Sequence, residues 1–190
     1  MHKNLIRAFY FINEFIESDI NKLNKNISII YRNYNKNIDK NIIREIKEYC
    51  KRSKRKFYIS YHYNLALKFK LDGIYVPAFD KRQILSTFLS MKNFEILGSA
   101  HNIKELKIKE KQGCETIFIS PIFKVKKTNY CLDTIKFNFL AKNTKKNVVA
   151  LGGINSKNIN KINLTKSKGL ASITLIKKNG LNKFRPFFKF

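Results

Sequence analysis

The sequence is poor in cysteine and has no long apolar run, and both shortages exclude classes of protein. Its three cysteines, Cys50, Cys114 and Cys131, have no CxxC spacing and cannot all pair, so neither a disulfide framework nor a zinc site is indicated. The stretch LIRAFYFINEFI near the start is interrupted by Arg7 and Glu14 and is too short to cross a bilayer. We therefore expect a cytoplasmic protein with no signal peptide and no membrane partner.

Acidic residues are also scarce, with 13 Asp and Glu against 39 Lys and Arg and a formal net charge of +26. Such an excess usually points to nucleic acid or another anionic surface. However, the densest basic run, Lys51 to Lys56 (KRSKRK), lies where a helix is expected to end, and basic residues there complement the helix dipole. Since no recognised nucleic-acid motif is present, we expect small anionic ligands and consider nucleic acid an unlikely partner.

The chain alternates short β-branched or aromatic runs with longer polar segments of helical period, which is typical of repeated βα units. With 190 residues and 44% hydrophobic content, it suits a single domain over residues 1–190. The predicted strands are Ala8–Ile12, Ile27–Tyr31, Phe57–Ser60, Gly73–Val76, Glu95–Gly98, Thr116–Ser120, Val148–Leu151 and Ala171–Leu175. The predicted helices are Lys40–Arg52, Asn64–Phe69, Ile103–Gln112 and Leu132–Lys142.

Eight βα units in one domain favour a closed (β/α)8 TIM barrel over an open doubly wound sheet. The length is slightly below the usual range for such barrels, so several helices must be short, and the segment 19–26 leaves room for little more than one turn. Gly113 and Gly169 each precede a predicted strand and are interpreted as helix stops.

Functional residues of a parallel barrel lie at the carboxyl ends of its strands and in the loops that follow. Polar residues occur there repeatedly: Arg32 after strand two, Asp80 after strand four, and Ser99 and His101 after strand five. Tyr61 and His62 follow strand three, but we interpret them as ordinary rim residues.

Gly152 and Gly153, in the segment ALGGIN, follow the seventh strand directly. Adjacent glycines permit close backbone approach and present free N–H groups to an anion. Together with Ile173 and Thr174 near strand eight, they predict a phosphate site, which is a recurrent arrangement in such barrels. The alternative is a plain turn in which Ser156 caps the next helix.

Five segments, in this order and spacing, resemble motifs of the thiamine phosphate synthase/TenI family. They are LDGIYVPAFD (71–80), SAH (99–101), ISPIF (119–123), ALGGIN (150–155) and GLASITLIKK (169–178). The resemblance extends over roughly residues 8 to 178, and it implies the barrel fold independently of the strand pattern.

The resemblance also implies a transferase reaction, in which a pyrimidine pyrophosphate joins a thiazole phosphate, releasing pyrophosphate and forming thiamine phosphate. In that family Mg²⁺ and basic residues neutralise the departing pyrophosphate, and the thiazole nitrogen captures the cation. Arg32 matches the family's arginine after strand two, and Asp80 matches one of its two magnesium carboxylates. Ser99 and His101 match its Ser-x-His, which makes Arg32, Ser99 and His101 the candidate catalytic residues.

The chain departs from the family pattern at several of the functional positions. The family's Gln-x-Arg-Glu-Lys reads IYRNY over residues 30–34, and its Asn-Asp-Arg reads Ser60-Tyr61-His62, so the first magnesium carboxylate is missing. The loop after ISPIF lacks the expected Thr and Lys, which leaves Lys127 as the candidate phosphate ligand there. Mg²⁺ bound by Asp80 and substrate phosphates is still expected, in a weaker site.

Alternatives stay open for the single residues and for the protein. Asp80 could cap a helix, Arg32 could pair with an acidic neighbour, and His101 could serve as a cap or as a hydrogen-bond partner. The leading hypothesis is thiamine phosphate synthase activity on small phosphorylated pyrimidine and thiazole substrates. A TenI-like thiazole phosphate tautomerase and a catalytically reduced binding protein are the alternatives.

Overall fold

The computed structural model describes residues 7–35, 38–125 and 130–172. Eight parallel strands pair in sequence order, and the last pairs with the first, so the sheet is a closed barrel as predicted. The strands are β1 (Arg7–Ile12), β2 (Ile27–Tyr31), β3 (Phe57–Ser60), β4 (Gly73–Val76), β5 (Glu95–Ala100), β6 (Thr116–Ile119), β7 (Asn147–Leu151) and β8 (Gly169–Ala171).

The helices outside the barrel are mostly short, which confirms the expectation from chain length. They are α1 (Glu17–Asn21), α2 (Lys40–Arg52), α3 (Tyr63–Lys68), α4 (Ser86–Leu89), α5 (Ile103–Lys111) and α6 (Asp133–Lys142), with a 3₁₀ helix at Ile159–Leu164. Of these, α4 and the 3₁₀ helix were not predicted. No helix in the described ranges is long and apolar enough to cross a membrane.

The longest helix, α2, shows why these segments fold as they do. Its Asp39 N-cap accepts a hydrogen bond from the backbone N–H of Asn41 at 2.8 Å, which satisfies one of the free donors at the helix start. Ile43, Ile46 and Cys50 recur at helical spacing and are buried against the barrel. The local sequence and the packing therefore favour the same element.

The two glycines interpreted as helix stops have different roles. Gly113 follows α5 in the left-handed region at φ 78°, so the interpretation as a helix stop is confirmed. For Gly169 that interpretation is wrong, because it is the first residue of β8 and pairs with Arg7. A Cβ atom there would collide with the carbonyl oxygen of Arg7. Strand eight thus begins two residues before the predicted Ala171.

The basic run after α2 is only partly a solvated helix end. Lys51 and Arg52 are exposed in the last turn of α2, as expected. Arg55, by contrast, is 7% exposed, and its guanidinium donates to the carbonyls of Ile20 and Leu23 at 3.3 and 2.7 Å. These carbonyls lie at and just beyond the end of α1. One of the arginines in the run is therefore a buried capping group and not free surface charge.

The amino-terminal end of the barrel is plugged by an ion-pair network. The Arg7 guanidinium donates to the Glu95 carboxylate at 2.7 Å and to the Tyr58 hydroxyl at 3.1 Å, and Lys56 also pairs with Glu95. Burial alone would raise the pKa of Glu95, but the hydrogen bonds from Lys56 and Arg7 outweigh it and hold the pKa below its usual value. The charges stabilise one another at the end of the barrel away from the expected site.

Above this plug the interior is filled by aromatic side chains. Phe9 and Phe118 meet edge to face with centroids 4.8 Å apart, and Phe11 and Tyr75 do so at 5.1 Å. We call Phe11, Tyr75 and Phe118 the aromatic floor, because they form the upper interior layer toward the carboxyl ends of the strands.

The different burial of the three cysteines allows a direct test of this fold. Burial raises the pKa of both Cys50 and Cys114 to about 12, whereas Cys131 is partly exposed. Since the thiolate is the reactive form, we expect a disulfide reagent such as DTNB to label one thiol per native chain at pH 8 and three in guanidinium chloride. A Cys131→Ser variant should lose the fast native reaction. Rapid native labelling of that variant would contradict the barrel packing.

Candidate functional site

Arg32 lies over the mouth of the barrel. It follows β2 directly, and its backbone N–H donates to the carbonyl of Ile12 at 2.8 Å. Its Nε donates to the Asn13 side-chain oxygen at 3.2 Å, and its Cζ lies 5.8 Å from the centroid of the Phe11 ring. No acidic residue in the described ranges forms an ion pair with Arg32, so its charge faces the mouth without an acidic partner.

Ser99 lies inside the barrel and not in the loop after strand five. The prediction that it follows the strand is wrong, because β5 continues to Ala100, two residues beyond the predicted Gly98. Ser99 is buried. Since Leu97, two residues earlier on the same strand, faces the barrel interior, Ser99 faces it as well, closer to the carboxyl end of the strand.

His101 follows β5 and is exposed at the rim. Its Nδ1 lies 2.7 Å from the carbonyl oxygen of Ser120. Because a carbonyl can only accept, Nδ1 carries the proton in this contact and Nε2 is the free ring nitrogen of the neutral imidazole. The capping role belongs to Asn102, which accepts from the backbone N–H of Glu105 at 2.9 Å, so the His101 side chain is not the cap.

Gly152 and Gly153 bring the loop after β7 against the loop after β6. The backbone N–H of Ile122 donates to the Leu151 carbonyl at 2.9 Å, and that of Phe123 donates to the Gly152 carbonyl at 3.2 Å. Gly153 has φ 69°, and a Cβ atom on it would collide with the Phe123 carbonyl. Both its backbone conformation and this close approach require glycine.

Asn158 holds the same loop from the other side. Its side chain accepts from the backbone N–H of Asn155 at 2.8 Å and donates to the Gly153 carbonyl at 2.9 Å. It is also the N-cap residue of the 3₁₀ helix, so the alternative that Ser156 is the cap is wrong. The N–H groups of Gly153 and Ile154 donate to no residue in the described part of the chain and are available to an anion.

Three further predicted phosphate ligands, Lys127, Ile173 and Thr174, lie outside the described residues. Their roles stay predictions.

Asp80 is buried and tightly paired. Its carboxylate accepts from the Arg82 guanidinium at 2.5 and 2.9 Å, from the Arg82 backbone N–H at 3.0 Å and from the Tyr63 hydroxyl at 2.6 Å. Burial alone would raise the pKa of Asp80, but the hydrogen bonds from Arg82 and Tyr63 outweigh it and lower the pKa. Since α4 begins only at Ser86, the alternative that Asp80 caps a helix is wrong.

The residues around Asp80 do not fit a magnesium ion. Both carboxylate oxygens are engaged by a guanidinium, which a metal would have to displace. Within the described ranges no three His, Cys, Asp or Glu side chains gather as a metal site.

Residues of α5 hold the backbone that carries Asp80 and Arg82. The fully buried Lys109 donates from Nζ to the Asp80 carbonyl at 2.6 Å, and Gln112 donates to the Arg82 carbonyl at 2.6 Å. Burial lowers the pKa of Lys109. Sequence reasoning missed this pair, although Lys109 stands three residues after the buried Leu106, on the helix face that packs against the barrel.

Sequence reasoning also missed an aromatic cluster at the rim. Tyr34, Tyr61 and Phe79, which we call the aromatic rim cluster, have ring centroids 5.4 to 6.4 Å apart. The Cζ of Arg82 lies 4.4 Å from the centroid of Tyr61. A groove of about 340 Å³ adjoins the cluster, lined by Tyr61, His62, Tyr63, Asn64, Leu65 and Arg82. In the sequence, the aromatic rim cluster is indicated only by the position of its three residues after strands two, three and four.

The variant Tyr63→Phe removes one hydrogen bond to Asp80 and tests how much that bond stabilises the buried carboxylate. A hydrogen bond to a charged group contributes about 1.5 to 3 kcal/mol, so we expect the free energy of unfolding at pH 7 to fall by that amount. Because the native pKa of Asp80 is lowered, its stabilisation is complete above the ordinary value of 3.8 and is lost as pH falls through the native pKa. Urea unfolding at several pH values should show the cost of Tyr63→Phe shrinking below about pH 4.

Tyr49→Phe is the matched control, since the Tyr49 hydroxyl donates to the neutral side chain of Asn21 at 2.9 Å. The decrease in the free energy of unfolding caused by Tyr49→Phe should not depend on the ionisation of Asp80. An equal cost of Tyr63→Phe at pH 7 and at pH 3 would show that the hydroxyl does not act through the carboxylate.

Comparison with known proteins identifies relatives of this chain. The family model described as thiamine monophosphate synthase matches residues 22–176. Thiamine-phosphate synthase of Prochlorococcus marinus strain SARG is 31% identical over 156 residues, which are 78% of this chain and 44% of that protein. The same enzyme of Prochlorococcus marinus subspecies pastoris is 28% identical over 142 residues, or 72% and 40%. The chain thus spans less than half the length of these curated relatives.

Among solved structures, a thiamine phosphate pyrophosphorylase from Pyrococcus furiosus superposes with a TM-score of 0.72 at 18% identity, covering 92% of this chain and 88% of that one. One from Bacteroides thetaiotaomicron gives 0.57 at 17% identity, covering 88% and 82%. At this identity the two structures support the barrel fold alone.

Proposed function

Because the chain belongs to the thiamine monophosphate synthase family, we propose that it is a transferase that joins a pyrimidine pyrophosphate to a thiazole phosphate. The observation that carries the proposal is the placement of Arg32 over the aromatic floor, without an acidic partner in the described part of the chain. The three free cysteines support a reducing, cytoplasmic location.

In this reaction the bond between the pyrimidine methylene carbon and the pyrophosphate oxygen breaks, and the electron pair leaves with pyrophosphate. The thiazole nitrogen then donates its lone pair to the carbon, so thiamine phosphate and pyrophosphate are formed. Negative charge develops on the leaving group, where a planar guanidinium supplies paired donors. Arg32 is suited to that role because its contact with Asn13 orients the guanidinium over the mouth.

The thiazole phosphate is assigned to the glycine loop after β7. The N–H groups of Gly153 and Ile154, which have no acceptor among the described residues, suit a phosphate oxygen. The aromatic floor and the Ser99 hydroxyl then lie below a flat heterocycle, with apolar contact on one side and a polar group at the wall.

A second candidate, the TenI-like thiazole phosphate tautomerase, is favoured by His101. Tautomerisation moves a proton between ring positions and needs one group that can accept and return it. The contact between Nδ1 and the Ser120 carbonyl leaves Nε2 of His101 as that acceptor. Thiazole isomerisation without thiamine phosphate formation would support this candidate over the synthase. Tight binding with neither reaction would support a binding protein.

The first test is thiamine phosphate formation by the purified protein from the two substrates. We expect product, and we expect Arg32→Ala to lower kcat/KM about 10²-fold or more, because a preorganised donor to the developing charge is lost. Arg32→Lys should recover only part of this, since lysine lacks the paired donors.

Arg52→Ala is the matched control, because Arg52 is exposed in the last turn of α2, away from the rim. It should retain the wild-type kcat/KM. The proposal fails if no product forms, and the role of Arg32 fails if both alanine variants behave alike.

A further inference from the structure

Two positions of this chain match the family's pair of magnesium carboxylates, and one side chain connects them. Asp80 keeps the second carboxylate, whereas Tyr61 stands where the first would be. The Arg82 guanidinium donates to Asp80 at 2.5 Å and to the Tyr61 carbonyl at 3.3 Å, and its Cζ stacks 4.4 Å from the centroid of the Tyr61 ring. A cationic side chain therefore lies between the two positions.

We infer that the Arg82 guanidinium takes the place of the divalent metal, so that this chain binds the pyrophosphate group of its substrate or product without Mg²⁺. The inference rests on the proposed function, since it extends the pyrophosphate site from Arg32 to the rim between β3 and β4. It deepens that function by separating this chain from a metal-dependent transferase.

The charge balance supports the exchange. A divalent cation between two carboxylates carries no net charge, and neither does one guanidinium paired with one carboxylate beside an uncharged tyrosine. The loss of one acidic residue removes one negative charge, and the replacement of a dication by a monocation removes one positive charge, so the two changes cancel. The net charge that a pyrophosphate approaching the rim would meet is therefore the same in both cases.

Arg82 keeps donors for an anion after binding Asp80. Its Nε and Nη2 contact Asp80, whereas Nη1 has no hydrogen-bond partner within the described ranges. The Arg82 side chain is 53% exposed while that of Asp80 is 2% exposed, so the buried carboxylate holds one edge and the other faces the groove of about 340 Å³. The remaining N–H groups match the geometry of phosphate oxygens.

The guanidinium is also held in place, as a bound metal would be. Tyr61 and Tyr63 flank it, with ring centroids 4.4 and 4.9 Å from Cζ. Lys109 and Gln112 hold the backbone carbonyls of Asp80 and Arg82 from below. Little conformational freedom is left to lose when an anion binds.

The test is calorimetric titration of the purified full chain with inorganic pyrophosphate, once in EDTA and once in Mg²⁺. We expect the two Kd values to agree within about threefold, because the site supplies its own cation. Arg82→Ala should weaken binding in EDTA at least about tenfold, since two charge-assisted donors are lost. Lys81→Ala, which removes an exposed neighbouring charge, should stay within about threefold of the wild type.

A second variant addresses the metal directly. Tyr61→Asp combined with Arg82→Ala restores two carboxylates, and we expect its pyrophosphate binding to require Mg²⁺. The wild-type comparison needs no variant, so the inference is testable even if Arg82→Ala does not fold. Wild-type binding at least about tenfold weaker in EDTA than in Mg²⁺ would overturn it.

The proposed function can fail separately. Metal-independent pyrophosphate binding without thiamine phosphate formation supports the Arg82 site and rejects the synthase. Thiamine phosphate formation that occurs only with Mg²⁺ supports the synthase and rejects the role of Arg82.

Discussion

Closure of the sheet between β8 and β1 is the constraint on which the other features depend. Eight strands of only three to six residues leave no unpaired backbone edge when the last pairs with the first. At this seam Gly169 lies against the backbone of Arg7, and a side chain there would separate the strands. The Arg7 side chain then enters the barrel and pairs with Glu95. Closing the sheet and plugging its amino-terminal end thus involve the same residue.

The side chains predicted to be functional lie at the opposite end of the barrel. Arg32, His101 and the glycine loop come from β2, β5 and β7, which are far apart in sequence but meet around one mouth. Phe11, Tyr75 and Phe118, the aromatic floor, fill the upper interior of the barrel below the mouth. Space for a ligand therefore lies at the rim and not within the barrel.

The buried carboxylate of Asp80 imposes a second, local constraint. A buried charge is tolerated only when it is paired and hydrogen-bonded, and here Arg82 and Tyr63 supply those contacts. This requirement aligns the loop after β4 with the loop after β3 and places Arg82 against the aromatic rim cluster. Tyr61, which stands in place of the family's first acidic residue, hence contacts the same guanidinium that pairs with Asp80.

The sequence by itself determined the barrel, the order of its strands and the motif that relates the chain to its family. The barrel follows from the periodicity of the strand and helix segments, and the family relation follows from five short motifs in register. Tertiary structure alone decided that Gly169 belongs to a strand, that Ser99 lies inside, that Arg55 is buried and that Arg82 pairs with Asp80. The first three depend on a partner from another strand or helix, such as the Arg7 backbone for Gly169. The Arg82–Asp80 pair is local in sequence, but Asp80 also contacts Tyr63 and Lys109 of other elements. A contact between elements is not encoded in the spacing of either one.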